Sequence, residues 1–325
     1  MTQTVYVDPT QGSNGSGTSG SPFSSLRNAF LGISAFDTAS EDYIVNLLPG
    51  VDTDGIAGGA FTVASTGGVR NLIIQAVGSN KHTGVRSTGY RRTQPLSIIG
   101  GNSNVLVRLI GIAASAQIEF RGGTNLIGLV DDCLVYDSAD FGFSNGGGNV
   151  TWRNCAAYQC TDQGFWSLND SSVPTSKAVN CTSIANGTYG FEQWSGTLTL
   201  KNCYAGGNVA DAYAGTMTRS NCMHSSSTSF SGSTANTAYS TANFVNVTSG
   251  SQNAKLVSGS ALIGLGAGPS GDSDVLLADF EGTTRGGTTT DVGFDQFAAS
   301  ASGASLAMRR LAHLHDIGRT GVHLL

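Results

Sequence analysis

One dipeptide returns five times through the middle of the chain: Asp132-Cys133, Asn154-Cys155, Asn180-Cys181, Asn202-Cys203 and Asn221-Cys222. The cysteines stand 22, 26, 22 and 19 residues apart. Ten residues after the first four come Phe143, Phe165, Phe191 and Tyr213, preceded by Gly142, Gly164, Gly190 and Ala212. Several columns agreeing in one register make a structural repeat, and a period near 22 is that of a solenoid. The leucine pattern of leucine-rich repeats is absent. Val150-Thr151-Trp152-Arg153 and Leu198-Thr199-Leu200-Lys201 alternate as strands do, with Val150, Trp152, Leu198 and Leu200 expected inside. Coils about 4.8 Å apart set like on like. Asn154, Asn180, Asn202 and Asn221 are therefore read as a structural ladder at a corner. There Asn tolerates left-handed backbone and supplies both donors and acceptors to the turn. Cys133, Cys155, Cys181, Cys203 and Cys222 are read as a reduced, buried ladder of small hydrophobes. With Cys160 the count is even, which also admits a disulfide framework, but a chain of 325 residues needs no such staples.

Composition agrees with many short strands and tight turns. Charged residues are 12%, about half the usual share of roughly 25%, while Gly reaches 45 and Pro only 6. The net charge of −5 argues against a nucleic-acid surface, which needs clustered basic residues. No apolar run approaches the ~18 residues of a membrane span, so no membrane insertion is expected. The opening MTQTVYVDPTQG has neither the basic nor the apolar region of a signal peptide. The Gly-rich stretches 12–20 and 264–268 lack the Lys-Ser/Thr of a phosphate loop. No cofactor and no metal site are expected.

The Asn-Cys rungs are joined by two further segments. Tyr6-Val-Asp-Pro-Thr-Gln-Gly12 leads through a Gly/Ser loop to Gly20-Ser-Pro-Phe-Ser-Ser-Leu-Arg-Asn-Ala-Phe30. Near the other end stand Ser260–Ala267, Asp279–Arg285 and Asp291–Phe294. Together they resemble the right-handed parallel β-helix superfamily, the pectin-lyase-like proteins, over roughly residues 4–297. The resemblance implies an all-β chain forming a single right-handed parallel β-helix. Residues 1–50 would be an N-terminal cap, with a helix over Ser24–Phe36 burying Leu26, Phe30 and Ile33. Residues 51–297 would be the coils and closing segment. About nine coils are expected, near 45 Å of rod at ~4.8 Å each, with 223–250 the weakest. Residues 298–325 would be a C-terminal tail, whose Arg309, Arg310, Leu311 and Leu314 suit an anchoring arm. The fold implies no single function; it serves polysaccharide lyases, glycosidases, phage tailspikes and inert virion proteins.

Catalytic candidates come from the repeat itself. Asp140 and Asp162 share a column seven residues after their cysteines, and Glu192 follows Phe191. Adjacent coils would set two carboxyls near 5 Å apart, the spacing of retaining glycoside hydrolysis, and mutual repulsion would raise one pKa. The same aspartates also suit plain turns. A lyase would need a basic cluster, and Arg153 and Lys201 share a column that Val179 interrupts; the superfamily's cluster does not map onto this chain. Trp166, Trp194, Tyr158 and Tyr189 are candidates for stacking on sugars, with an interior ladder as the alternative. The leading expectation is a bacteriophage virion structural protein, capsid-decorating or tail-associated and without catalysis. It would be a homotrimer on the virion surface, made in the host cytoplasm and joined to other virion proteins through the tail. The alternatives are a polysaccharide depolymerase acting on a host surface glycan and a non-catalytic carbohydrate-binding adhesin.

Overall fold

The computed structural model describes residues 2–32, 41–55, 60–63, 70–100, 105–122, 126–168, 175–226, 228–231, 233–235, 243–270 and 274–297. Among them the chain winds as a parallel β-solenoid. Each turn adds a strand to the first sheet, then the second, then the third. The first sheet has nine strands, from Thr2–Val7 through Asn149–Arg153 to Thr218–Ser220. The second also has nine, from Gly50–Asp52 to Ser233–Ala235, and the third has seven, from Ala60–Val63 to Asp211–Ala214. Pairing within each is parallel and keeps the sequence register: Phe143, Phe165, Phe191 and Tyr213 are direct partners.

The interior is built from the expected columns. Val150, Trp152, Leu198 and Leu200 are buried. The rings of Phe143, Phe165 and Phe191 stack at 4.8 Å centroid spacing, and Tyr213 follows at 6.0 Å. All six cysteines are free thiols and buried. Burial raises the pKa of Cys133 and Cys155, and that of Cys160 to about 12, which leaves them inert. Gly142, Gly164 and Gly190 fill the tightest point of each turn. A Cβ on Gly142 would lie 2.5 Å from the Gly164 carbonyl oxygen of the next coil.

The corner between the first and second sheets is one left-handed residue: Asp132, Asn154, Asn180, Asn202 and Asn221 all have φ between 49° and 55°. A second left-handed column closes the next corner, five residues on, at Asp137, Gln159, Ala185 and Gly207. Its residue types vary, so it leaves no column in the sequence.

The N-terminal helix spans Leu26–Gly32 and buries Leu26, Ala29 and Phe30. Ile33 and Phe36 lie outside the described residues. Phe30 packs edge-on against Phe61 at 4.3 Å. The helix start is held by Asp52, which accepts from the Leu26 backbone N–H at 2.9 Å, the Tyr90 hydroxyl at 2.5 Å and Arg92 at 3.1 Å.

Beyond this point the regular stack gives way to other pairing. The stacked strands end at Ser233–Ala235. Phe244–Asn246 leaves the coil and pairs antiparallel with Asn253–Leu256. The closing segment runs along the flank as a strap over the outer face of the second sheet, where Leu134, Tyr136, Tyr158, Ile184 and Tyr204 cluster with Phe244, Leu256, Leu262, Phe280, Val292 and Phe294. The Asn ladder stands at this corner, and Asn154 donates to the Asp132 carboxylate of the preceding rung at 3.1 Å. Its amides turn outward to the strap: Asn154 to the Ala278 carbonyl at 2.9 Å, Asn180 to Asp291 at 3.3 Å and Asn202 to Ala267 at 2.8 Å. Asn202 also accepts from the Ala267 N–H at 2.8 Å. The physical reason is geometric: a left-handed residue at a sharp corner projects its side chain away from the core. The anchoring candidates Arg309, Arg310, Leu311 and Leu314 lie outside the described residues.

Candidate functional site

The chemistry-bearing residues gather on the outer face of the third sheet, which stands outside the strap's cluster. In each short strand the residues flanking the middle one face inward: Phe143 stacks in the core, and Asn145 bonds Ser176 at 3.0 Å. The middle residue therefore faces out. This sets Glu119, Ser144, Trp166 and Glu192 in one outward column on four successive coils.

Beside that column lies the corner joining the second sheet to the third, which carries Asp140 and Asp162. They occupy adjacent coils in register: the Asp162 N–H donates to the Asp140 carbonyl at 3.4 Å, and Asp162 in turn accepts from the Thr188 N–H. The three candidate acids thus share one face over three consecutive coils. Burial raises the Asp140 carboxyl above its usual range, and the charges of Asp162 and Glu119 add to this. Glu192 is raised by burial, with Asp162 adding. Its carboxylate accepts from the Gln163 amide. Asp162 is the charge felt on both sides.

Glu119 belongs to the group although the repeat had not singled it out. It accepts from Ser97 at 2.8 Å and Gln117 at 3.2 Å, and pairs with Arg121 at 2.7 Å. It lies before the first Asn/Asp-Cys rung, but its signal was present. It follows Ile118, the partner of Phe143, as Glu192 follows Phe191.

A recess of about 300 Å³ opens beside Asp140, between Thr93, Pro95, Ser115, Gln117 and Ser138. Another of about 340 Å³ lies on the same corner further along, at Asn208, Asp211 and Ser225.

The aromatic candidates divide. Trp166 is half-buried on the outer face, with its ring 4.2 Å from that of Phe141. Trp194 is 70% exposed just past the Glu192 strand, and Tyr189 is half-buried on it. Tyr158 is corrected: it belongs to the second sheet, fully buried under the strap, and has no surface to offer a sugar.

Three basic residues of the first sheet are held in ion pairs. Arg108 and Arg153 both bind Asp131, at 2.7 and 2.6 Å, and Lys177 pairs with Asp274 at 3.0 Å. Val179 separates Arg153 from Lys201 in the column, as the sequence indicated.

No family model matches the chain, and no curated protein matches it. Among solved structures it is similar to a rhamnogalacturonan lyase at 16% identity and a TM-score of 0.42, over 68% of each chain. It is also similar to the pectate lyase Pel9A at 15% identity and 0.40, over 91% of this chain and 96% of that one. The fold assigned above rests on the strand pairing of this chain.

Proposed function

We propose that the protein is a polysaccharide depolymerase of the glycoside hydrolase type, cutting a glycan laid along the open face of the third sheet. The observation that carries this is the outward clustering of Asp140, Asp162 and Glu192 on consecutive coils, beside a recess and an aromatic platform. A surface made only for assembly has no need to crowd half-buried acids.

In this reading Asp140 is the general acid. Its raised pKa keeps a proton available to give to the glycosidic oxygen. Asp162, one coil away, attacks the anomeric carbon as the leaving sugar departs with that proton. Asp140, now ionised, then takes a proton from water, whose oxygen displaces Asp162 and restores both carboxyls. A coil spacing of about 4.8 Å suits the ~5–5.5 Å carboxyl separation of retaining enzymes. Glu192 and Gln163 hold the floor of the site, and Trp166 with Phe141 offers a sugar ring an apolar surface.

The test is incubation with polysaccharides while following new reducing ends and, separately, the ultraviolet absorbance of an unsaturated product. Reducing ends that disappear in Asp140→Asn and Asp162→Asn support the reading. An unsaturated product assigns a lyase instead. Binding without product leaves the non-catalytic adhesin. Neither binding nor product leaves the virion decoration or tail-associated protein expected from the sequence. That second reading draws on the tail at 298–325, and it predicts that removing the tail abolishes attachment to virions.

A further inference from the structure

Resting on the proposed function, we infer that the open face takes an uncharged or amino-sugar polysaccharide and rejects polyuronates. Glu119, Asp140, Asp162 and Glu192 follow one another along it. Arg121, whose charge also reaches Asp140, is already bonded to Glu119 at 2.7 Å. A chain bearing a carboxylate on each sugar would bring further negative charge against this row, and like-charge juxtaposition is among the strongest rejections available to a binding surface. Partial burial strengthens the effect, because half-buried charges are poorly screened.

A second feature points to what the face accepts. Ser144 lies in the outward column between Glu119 and Trp166, 2% exposed, and its hydroxyl has no hydrogen-bond partner in the protein. The indole N–H of Trp166 beside it is likewise buried and unpartnered. Buried polar groups are rarely left unmade. A hydroxyl and an indole N–H, set between acceptor carboxylates and next to an aromatic face, match the hydroxyl-rich edge and apolar face of a neutral sugar. An amino sugar would in addition place its cation against the carboxylates.

The experiment compares initial cleavage rates of the full chain on mannan, xylan, β-1,4-galactan and chitosan with those on polygalacturonate and alginate. Each rate is measured at about 0.01 M and about 0.15 M salt, between which screening changes severalfold. The expected result is cleavage of at least one neutral or amino polymer at a rate about tenfold or more above either polyuronate. Tenfold corresponds to about 1.4 kcal/mol. The gap should narrow at the higher salt. An equal or faster rate on a polyuronate overturns the inference and leaves the depolymerase reading standing. No product from any of the six overturns the depolymerase reading, and the inference with it.

Discussion

The second and third sheets are built from the same coils by strands of similar length, yet their outer faces have opposite fates. On the second sheet Leu134, Tyr136, Tyr158, Ile184 and Tyr204 face outward and are covered by the strap. On the third, Glu119, Ser144, Trp166 and Glu192 face outward and stand outside the strap's cluster; Trp166 is half-buried and the other three are closely packed. Both inner faces are stacked in register, so the inner face makes the solenoid and the outer face decides its use. An apolar outer face draws a covering segment. A face of acids and aromatics is left for something else.

The sharpest way to break this comparison is to alter both faces alike. Asp162→Asn should lower glycan cleavage by about a thousandfold or more with little change in melting temperature. Tyr204→Ala should do the reverse. It empties a fully buried site under the strap and should cost about 3–5 kcal/mol, as large aromatic deletions do. Chemical denaturation of both variants, read beside activity, checks the pair. If Asp162→Asn also unfolds the protein, the open face is structural and the contrast disappears.

A smaller effect concerns how pH acts on the strap. Asp295 accepts from the Leu256 N–H at 2.6 Å, and burial, with Asp279 adding, raises its pKa to about 7. A carboxyl raised in the folded state contributes stability in full below its unfolded pKa of about 4 and loses it as pH rises through 7. His82, stacked against Phe280 and Phe294, is lowered by burial to about 4. Its contribution is full above about 6.5 and is lost as pH falls through 4. The two oppose each other between pH 4 and 7, so the wild-type curve should be flat there. Asp295→Asn separates them. Its melting temperature relative to the wild type should be higher by a few degrees at pH 8 than at pH 4. An unchanged difference would remove Asp295 from the account.

The smallest effect is a protection. All six thiols are buried, so a water-soluble thiol reagent should find almost none in the native protein and six after denaturation. Rapid labelling of Cys222, the last of the ladder, would show that the coil end opens where the strap does not reach.

The columns that made this fold legible are those where every coil needs the same residue. Stacked Phe165 and Phe191, the Gly142 series and the Asn corner repeat because their neighbours above and below impose identical constraints. The second left-handed corner was illegible because Asp137, Gln159, Ala185 and Gly207 meet one backbone demand with four residue types. The strap was recognised as a closing segment, but its place along the flank was not legible, since its contacts with Asn154, Asn180 and Asn202 join residues far apart in sequence. Asp140, Asp162 and Glu192 were found because they ride on the repeat. Glu119 was passed over because its coil carries Ile112 where later ones carry cysteine. Tyr158 was misassigned because alternation distinguishes the two faces of a strand but not an open outer face from a covered one.

The most direct test of the division between faces is hydrogen–deuterium exchange of the full chain, with and without an oligosaccharide from the best-cleaved polymer. The account predicts slower exchange at 138–144, 161–167 and 187–193, on the open corner and third sheet, with the strap at 244–297 unchanged. Protection confined to the strap, or to the first sheet around Arg108 and Arg153, would contradict it.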